Sequence, residues 1–394
     1  ILIGLVGSEM CIRDRNKRGK IMKIICDVLD LTDALSKVTR ALPSKVMIGV
    51  NNDGIKISAH GDTVVFTAND MEYEIENTIK AVVQEEGEVL VPGKYMYEIA
   101  KRIESGSQVD IYSIEEDVIH IQAMDNTAHL SKFRLSDFVP LTNADEEYDI
   151  SFNIPQKDLK RLVEKTSFSA ATDDSRPQFK GCLFDIKGNS MNVVALDGYR
   201  MAVATYSLPA EYDSIQVVVP VKTLNEVAKL MENEEDSVTL YFSSKRFSVS
   251  IGEHTKVTSN LLSGKFLDYA RTIPSSYETK LTVNIKQLQA SLDRAAVMTR
   301  YDKSSMVKVE VKDSVMNVHA SSSIGEINDM IKIYSNGKDV TMLLNCKFIL
   351  DVLKNCDGEF VNISLNSPTA PFIIEPINES ENEKYVYLLL PIRY

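Results

Sequence analysis

Three stretches of the chain are copies of one another, and the copies place apolar and positive residues alike. VLVPGKYMYEIAKRI (89–103), VVVPVKTLNEVAKLM (217–231) and MLLNCKFILDVLKNC (342–356) align without gaps. Apolar residues recur at i, i+3, i+4 and i+7: Met96, Ile99, Ala100 and Ile103; Leu224, Val227, Ala228 and Met231; Ile349, Val352, Leu353 and Cys356. That spacing makes one buried stripe on an amphipathic helix. On the opposite face stand lysine pairs: Lys94 and Lys101, Lys222 and Lys229, Lys347 and Lys354. A repeat longer than the solenoid periods implies a triplicated domain.

A second helix repeats the message. KIICDVLDLTDALSKV (23–38), ISFNIPQKDLKRLVEK (150–165) and LTVNIKQLQASLDRAA (281–296) each read as a strand followed by a helix. Leu31, Leu159 and Leu288 coincide, as do Leu35, Val163 and Leu292, and one further position holds Lys37, Lys165 and Arg294. Nine cations therefore recur, three per unit. For one helix alone, an ordinary solvated face explains such lysines. Six helices in agreement point to a shared basic surface for a polyanion, although inheritance from a duplicated ancestor explains part of the agreement. The formal charge of −12 sharpens the point. An acidic protein approaches nucleic acid only through cations gathered in one place.

Between the helices lie alternating segments with turn signals. In QVDIYSIEEDVIHIQAM (108–124) the apolar residues flank a Glu115–Asp117 turn, and DSVTLYFSSKRFSVSIG (236–252) repeats the pattern, so both read as hairpins. Each unit is thus two helices on antiparallel strands, an α+β fold. Domain limits are expected at 22–148, 149–275 and 276–394, in the polar stretches LTNADEEYD and IPSSYETK.

Residues 1–21 do not share this pattern. Their apolar run precedes the basic residues, which is the reverse of a signal peptide, and is far shorter than the roughly 20 apolar residues of a membrane span. GLVGSEMCIRDR resembles a translated sequencing-adapter artefact, so 1–21 is expected to be a non-native leader and Met22 the start. The five cysteines (Cys11, Cys26, Cys182, Cys346, Cys356) contain no CxxC pair and read as free thiols of a reducing cytosol.

A catalytic site is not legible. There is no GxxxxGK[ST], HExxH or GxSxG, and the five histidines lack metal-ligand spacing. Asp173 and Asp174 are adjacent carboxylates in the polar loop ATDDSRPQ, which reads as a solvated turn. No cofactor is expected. More unusual are apolar and cationic residues at segment ends: Asp197-Gly198-Tyr199-Arg200-Met201, then Leu267, Tyr269 and Arg271, and an apolar C-terminus, YLLLPIRY. The last reads either as a final core strand or as part of a groove for a short apolar peptide.

RPQFKGCLFDI (176–186), ALDGYRMAV (195–203), GKFLDYARTIP (264–274) and YLLLPIRY together resemble the bacterial replicative sliding clamp family, the β subunit of DNA polymerase III, over essentially all of 22–394. The resemblance implies three equivalent domains per subunit and a head-to-tail dimeric ring. It would place Lys37, Lys94, Lys101, Lys165, Lys222, Lys229, Arg294, Lys347 and Lys354 around duplex DNA. Such contacts are electrostatic and independent of base sequence.

The resemblance also implies a partner-peptide groove between the second and third domains. Its residues would be Phe179, Leu196, Gly198, Tyr199, Arg200, Met201, Leu267, Arg271, Thr272, Leu388, Leu389, Leu390, Pro391, Ile392 and Arg393. Apolar walls would bury an anchor while the arginines hold the peptide's polar end. Ring closure would pair Leu130 and Phe133 with Val297 and Met298 of another copy. The implied partners are double-stranded DNA, the polymerase III catalytic subunit, an ATP-driven clamp loader and other proteins carrying the clamp-binding motif. No membrane is implied; the protein would be a cytoplasmic processivity factor in DNA replication and not an enzyme. Two features depart from the family pattern: Arg176-Pro177-Gln178 lacks paired tyrosines, and 42–54 is shorter or altered. A DNA-processing enzyme and a second-copy clamp relative stay open as rival readings.

Overall fold

Each strand–helix signal becomes an element in the computed structural model, which describes residues 22–43, 53–113, 117–141, 147–300, 305–377 and 383–393. The leader, most of the altered 42–54 segment and the centre of the Glu115–Asp117 turn lie outside the described residues.

The first repeat runs β1 (Met22–Asp27), α1 (Val28–Val38), β2 (Gly54–His60), β3 (Thr63–Asn69), β4 (Tyr73–Lys80), β5 (Val82–Glu85), β6 (Gly87–Pro92), α2 (Gly93–Ala100), β7 (Gln108–Ser113), β8 (Val118–Ala123) and β9 (Asn126–Ser131). The second runs β10 (Ile150–Pro155), α3 (Gln156–Ser167), β11 (Gly181–Leu196), β12 (Arg200–Pro220), α4 (Val221–Leu230), β13 (Ser237–Phe242), β14 (Arg246–Ile251) and β15 (Thr255–Asn260). The third runs β16 (Thr279–Asn284), α5 (Ile285–Thr299), β17 (Met306–Lys312), β18 (Val315–Ser322), β19 (Gly325–Lys332), β20 (Tyr334–Asn336), β21 (Val340–Asn345), α6 (Cys346–Lys354), β22 (Phe360–Leu365), β23 (Phe372–Pro376) and β24 (Glu383–Leu389). β11 and β12 are long because each covers what the other repeats divide into separate strands. Their pairing slips around Gly188.

Local chemistry starts the helices where the sequence places them. Asp27 accepts from Leu29 N at 2.7 Å, Asn284 from Gln287 N at 3.1 Å and Asn345 from Phe348 N at 3.1 Å, so orphan N–H groups are capped. The apolar stripes then bury: Leu31, Leu35, Met96, Leu159, Val163, Leu224, Val227, Leu288, Leu292, Ile349, Val352 and Leu353 are all in the core. Each such leucine stabilises the fold by about 1.5–3 kcal/mol.

The chain packs as two compact units, Ile1–Gln156 with Lys229–Asn260, and Lys157–Ala228 with Leu261–Tyr394. In the first, α1 lies on β3 and β4 beside α2. Its larger sheet has the order β10-β13-β14-β15-β4-β3-β2-β6, and its smaller one β5-β1-β7-β8-β9. In the second unit, α5 lies on β18 and β19 beside α6. Its sheets are β11-β12-β24-β23-β22-β16-β20 and β19-β18-β17-β21. The two large sheets cross the borders between repeats. Val257 faces Ile75 where β15 meets β4, and Ala202 faces Tyr387 where β12 meets β24. Both hairpins expected from alternation form, with Ile111 opposite Ile121 and Leu240 opposite Val249.

The tips of two equivalent hairpins have the same construction. Asp70 Oδ1 accepts from Glu72 N and Tyr73 N, as Asp197 Oδ1 accepts from Tyr199 N and Arg200 N. The intervening residue has positive φ in both: Gly198 at +93° and Met71 at +74°. A side chain at Met71 is strained there, and it is largely exposed, so little burial repays it. Met71→Gly is expected to raise stability by about 1 kcal/mol in urea denaturation.

Candidate functional site

The Asp197–Arg200 turn leads into a cleft of about 710 Å³ in the second unit, lined by Tyr199, Asn345, Phe348, Thr369, Leu390, Pro391, Ile392 and Arg393. Tyr199 is 65% exposed, and its ring centroid lies 6.3 Å from that of Phe348. β24 ends at Leu389, after which Leu390 N donates to Tyr199 O at 2.9 Å and Ile392 N to Leu343 O at 2.8 Å. The C-terminal segment is thus both readings at once: a core strand through Leu389 and then a cleft wall.

Arg200 differs from the expectation. Its guanidinium is not available to a peptide. Nε donates to Asp197 Oδ2 (3.0 Å), Nη1 to Asp351 Oδ2 (2.7 Å) and Nη2 to Phe168 O (2.9 Å). The planar cation also sits 4.5 Å from the Phe348 ring centroid and 5.6 Å from that of Phe168. Arg200 is a strut fixing the hairpin tip to α6, with donors matched to their acceptors as only arginine allows. Arg393 lines the cleft and is exposed, whereas Arg271, outside that lining, has a side chain 88% exposed and pairs with Asp268.

Burial corrects the expected groove list further. Phe179, Leu196, Met201 and Leu388 belong to a core cluster with Leu183, Val203 and Ile373, and Leu389 is equally buried. They lie in the core and do not present a surface. Leu267 is exposed, Thr272 half-buried, and Phe266 and Tyr269 cover that cluster. Asn345, Phe348 and Thr369 line the cleft without having been expected. Phe348 sits just outside the apolar stripe of its repeat, which was the available signal.

The recurrent cations divide into two sets. Lys94, Lys101, Lys222, Lys229, Lys347 and Lys354 are all exposed. Among the described residues no ion pair engages Lys94, Lys101, Lys347 or Lys354; Lys94 Nζ lies 3.3 Å from Pro43 O, and Lys101 Nζ 5.7 Å from the Tyr97 ring centroid. The other three are committed: Lys37 to Asp33 at 2.6 Å, Arg294 to Asp329 at 2.7 Å and Lys165 to Asp357 at 2.7 Å. Lys165 is the clear departure, being only 9% exposed. Asp357 draws it inward beside Arg161, which also holds the buried Glu383 of β24 at 3.1 Å.

Leu130 and Phe133 are half-buried at and just beyond β9, Phe133 N donating to Leu90 O at 2.9 Å. Val297 is 53% exposed and Met298 half-buried on α5. Asp173 and Asp174 are exposed in a turn braced by Ser175 and Lys180. No group of three or more metal-ligating side chains occurs among the described residues. None of their helices is long and apolar enough to cross a membrane.

Burial, helped in Cys26 by the nearby Asp30 and Asp27, pushes the thiols of Cys26 and Cys182 up to about 12; Cys346 rises to about 11 and Cys356 to about 12. Such thiols hold little nucleophilic thiolate. These four are expected to resist Ellman's reagent at pH 8.5 until urea unfolds the chain; Cys11 lies outside the described residues.

Family models for the DNA polymerase III beta subunit match in order: the N-terminal domain over 22–149, the central domain over 153–268 and the C-terminal domain over 270–393. The beta sliding clamp of Staphylococcus epidermidis is 28% identical over 354 residues, covering 86% of this chain and 91% of the relative. That of Vibrio cholerae is 26% identical, covering 94% and 100%. A solved putative DNA polymerase III beta subunit from Eubacterium rectale superposes with a TM-score of 0.88 at 29% identity, covering 95% of this chain and all of the other. The Bacillus subtilis DNA polymerase sliding clamp shares the fold, with a TM-score of 0.88 at 24% identity. The chain belongs to the family of the DNA polymerase III beta subunit, the bacterial sliding clamps.

Proposed function

We propose that the chain is a DNA sliding clamp. Two copies close head to tail into a ring around duplex DNA, and the ring tethers the replicative polymerase and other partners through the Tyr199–Phe348 cleft. Three domains, 22–148, 149–275 and 276–394, would each contribute two helices. The exposed lysines would face the phosphates, where non-directional attraction permits sliding. The protein would work in the cytoplasm without cofactor or catalysis, and an ATP-driven loader would open the ring.

One observation carries this reading. Within the chain, the outer strand of one repeat pairs with the preceding repeat twice, as β15 with β4 and as β24 with β12. The equivalent third pairing would join β9 to β19, and both are sheet edges. Unpaired edges invite another chain. A second copy supplies each edge with its counterpart, and two such junctions close a ring. Apolar side chains stand exposed at the β19 end: Ile324 at 80%, Met330 at 79% and Val297 at 53%.

The cleft reading is tested with a fluorescent peptide carrying leucine and phenylalanine anchors. Fluorescence anisotropy should show saturable binding that weakens about tenfold or more in a Tyr199→Ala/Leu390→Ala double variant. Unchanged binding in that variant would exclude the cleft as the site.

A further inference from the structure

The two internal junctions share one register, and it can be carried to the closing junction. Ser259 faces Tyr73 in the first and Leu389 faces Arg200 in the second; the equivalent residues on β9 and β19 are Leu130 and Gly325. One step along, Thr258 faces Glu74 and Leu388 faces Met201, and the equivalents are His129 and Glu326. Both junctions therefore give the same partner for His129. We infer that His129 of one copy pairs with Glu326 of the partner subunit, and that this pair sets the register of the closing junction. The inference rests on the ring reading above.

His129 is built for such a role. A cross-strand row on one face of the smaller sheet runs Glu85, Lys23, Tyr112, His120, His129. Tyr112 stacks on His120 with centroids 4.9 Å apart and planes within 4° of parallel. His120 meets His129 edge to face at 4.5 Å. The row holds the outermost imidazole in place at an open edge, exposed to solvent. Glu326 is likewise exposed on β19, opposite Ser321. A carboxylate already serves at the equivalent point of the first internal junction. There Glu74 is buried and accepts from Asn69 Nδ2 at 3.1 Å and from Leu141 N at 3.0 Å.

The same transfer accounts for two exposed apolar residues. Ile324 takes the place that Tyr199 holds at the other hairpin tip, and Tyr95, 67% exposed on α2, takes that of Phe348. Tyr199 and Phe348 lie side by side, so Ile324 would meet Tyr95 of the partner subunit.

Opposed cross-strand residues lie close enough for a disulfide, whereas residues four positions off do not. His129→Cys/Glu326→Cys should give covalent dimer on mild oxidation, and His129→Cys/Met330→Cys should give none. Separately, Glu326→Lys and His129→Glu should each weaken the dimer about tenfold by sedimentation, like charges or a lost acceptor then facing the partner. The charge-swapped double variant should recover to within about threefold of the native protein. Cross-linking that favours Met330→Cys, or single effects that simply multiply in the double variant, would overturn the pairing. Native protein that stays monomeric at every concentration would instead sink the ring reading itself.

Discussion

Arg200→Met is expected to destabilise the protein by about 3–5 kcal/mol, because it strands two carboxylates that one guanidinium now satisfies. Asp351 and Asp197 have side chains 27% and 16% exposed, so water reaches them only partly. The Phe168 carbonyl also loses its donor, and the Phe348 ring loses the cation packed against it. Because Tyr199 and Phe348 form the cleft wall, peptide binding should fall with stability. Urea denaturation measures the first effect and anisotropy the second. Arg200→Lys should rescue little, since an ammonium cannot reach three acceptors in one plane. Adding Asp351→Asn to Arg200→Met should recover part of the loss by removing one stranded charge. If Arg200→Met costs less than about 1 kcal/mol, the strut assignment is wrong.

The second large effect belongs to the exposed lysines. Replacing Lys94, Lys101, Lys347 and Lys354 by glutamine should leave the fold intact, as all four are exposed. DNA association should become less salt-dependent, the slope of log affinity against log salt falling by about one for each phosphate no longer neutralised. The loss should be the same for every duplex sequence. Lys165→Gln should behave differently, lowering stability because it leaves Asp357 and its neighbours without that cation. A change in base preference for the glutamine variants would contradict binding through the phosphate backbone alone.

Periodicity made the repeated elements readable. Leu31 and Leu35, or Ile349 and Leu353, stand at helical spacing and reach the core, and Asp27 and Asn345 cap their helices. What a single strand cannot display is its partner. Nothing local to Val257 announces Ile75, nor to Ala202 Tyr387, so sheets crossing the borders between repeats were not legible. The cations show the same limit. Spacing put Lys165 and Lys94 in one class, but Asp357, remote in sequence, pulled only Lys165 inside. In the segments expected to form a groove, residue type and position along the chain do not reveal depth. Leu388 and Leu390 are two residues apart, one in the core and one on the cleft, because β24 ends between them.

A closed ring is linked to DNA topologically, and retention on circular against linear DNA reports that link. Protein beginning at Met22 would be loaded by an ATP-driven clamp loader onto nicked circles, and half the sample then cut with a restriction enzyme. Retention on circles at salt high enough to screen the lysines, with loss from the cut molecules, is the expected result for a closed ring that slides off ends. Equal loss from both would contradict it, leaving a protein that merely adheres to DNA through its surface charge.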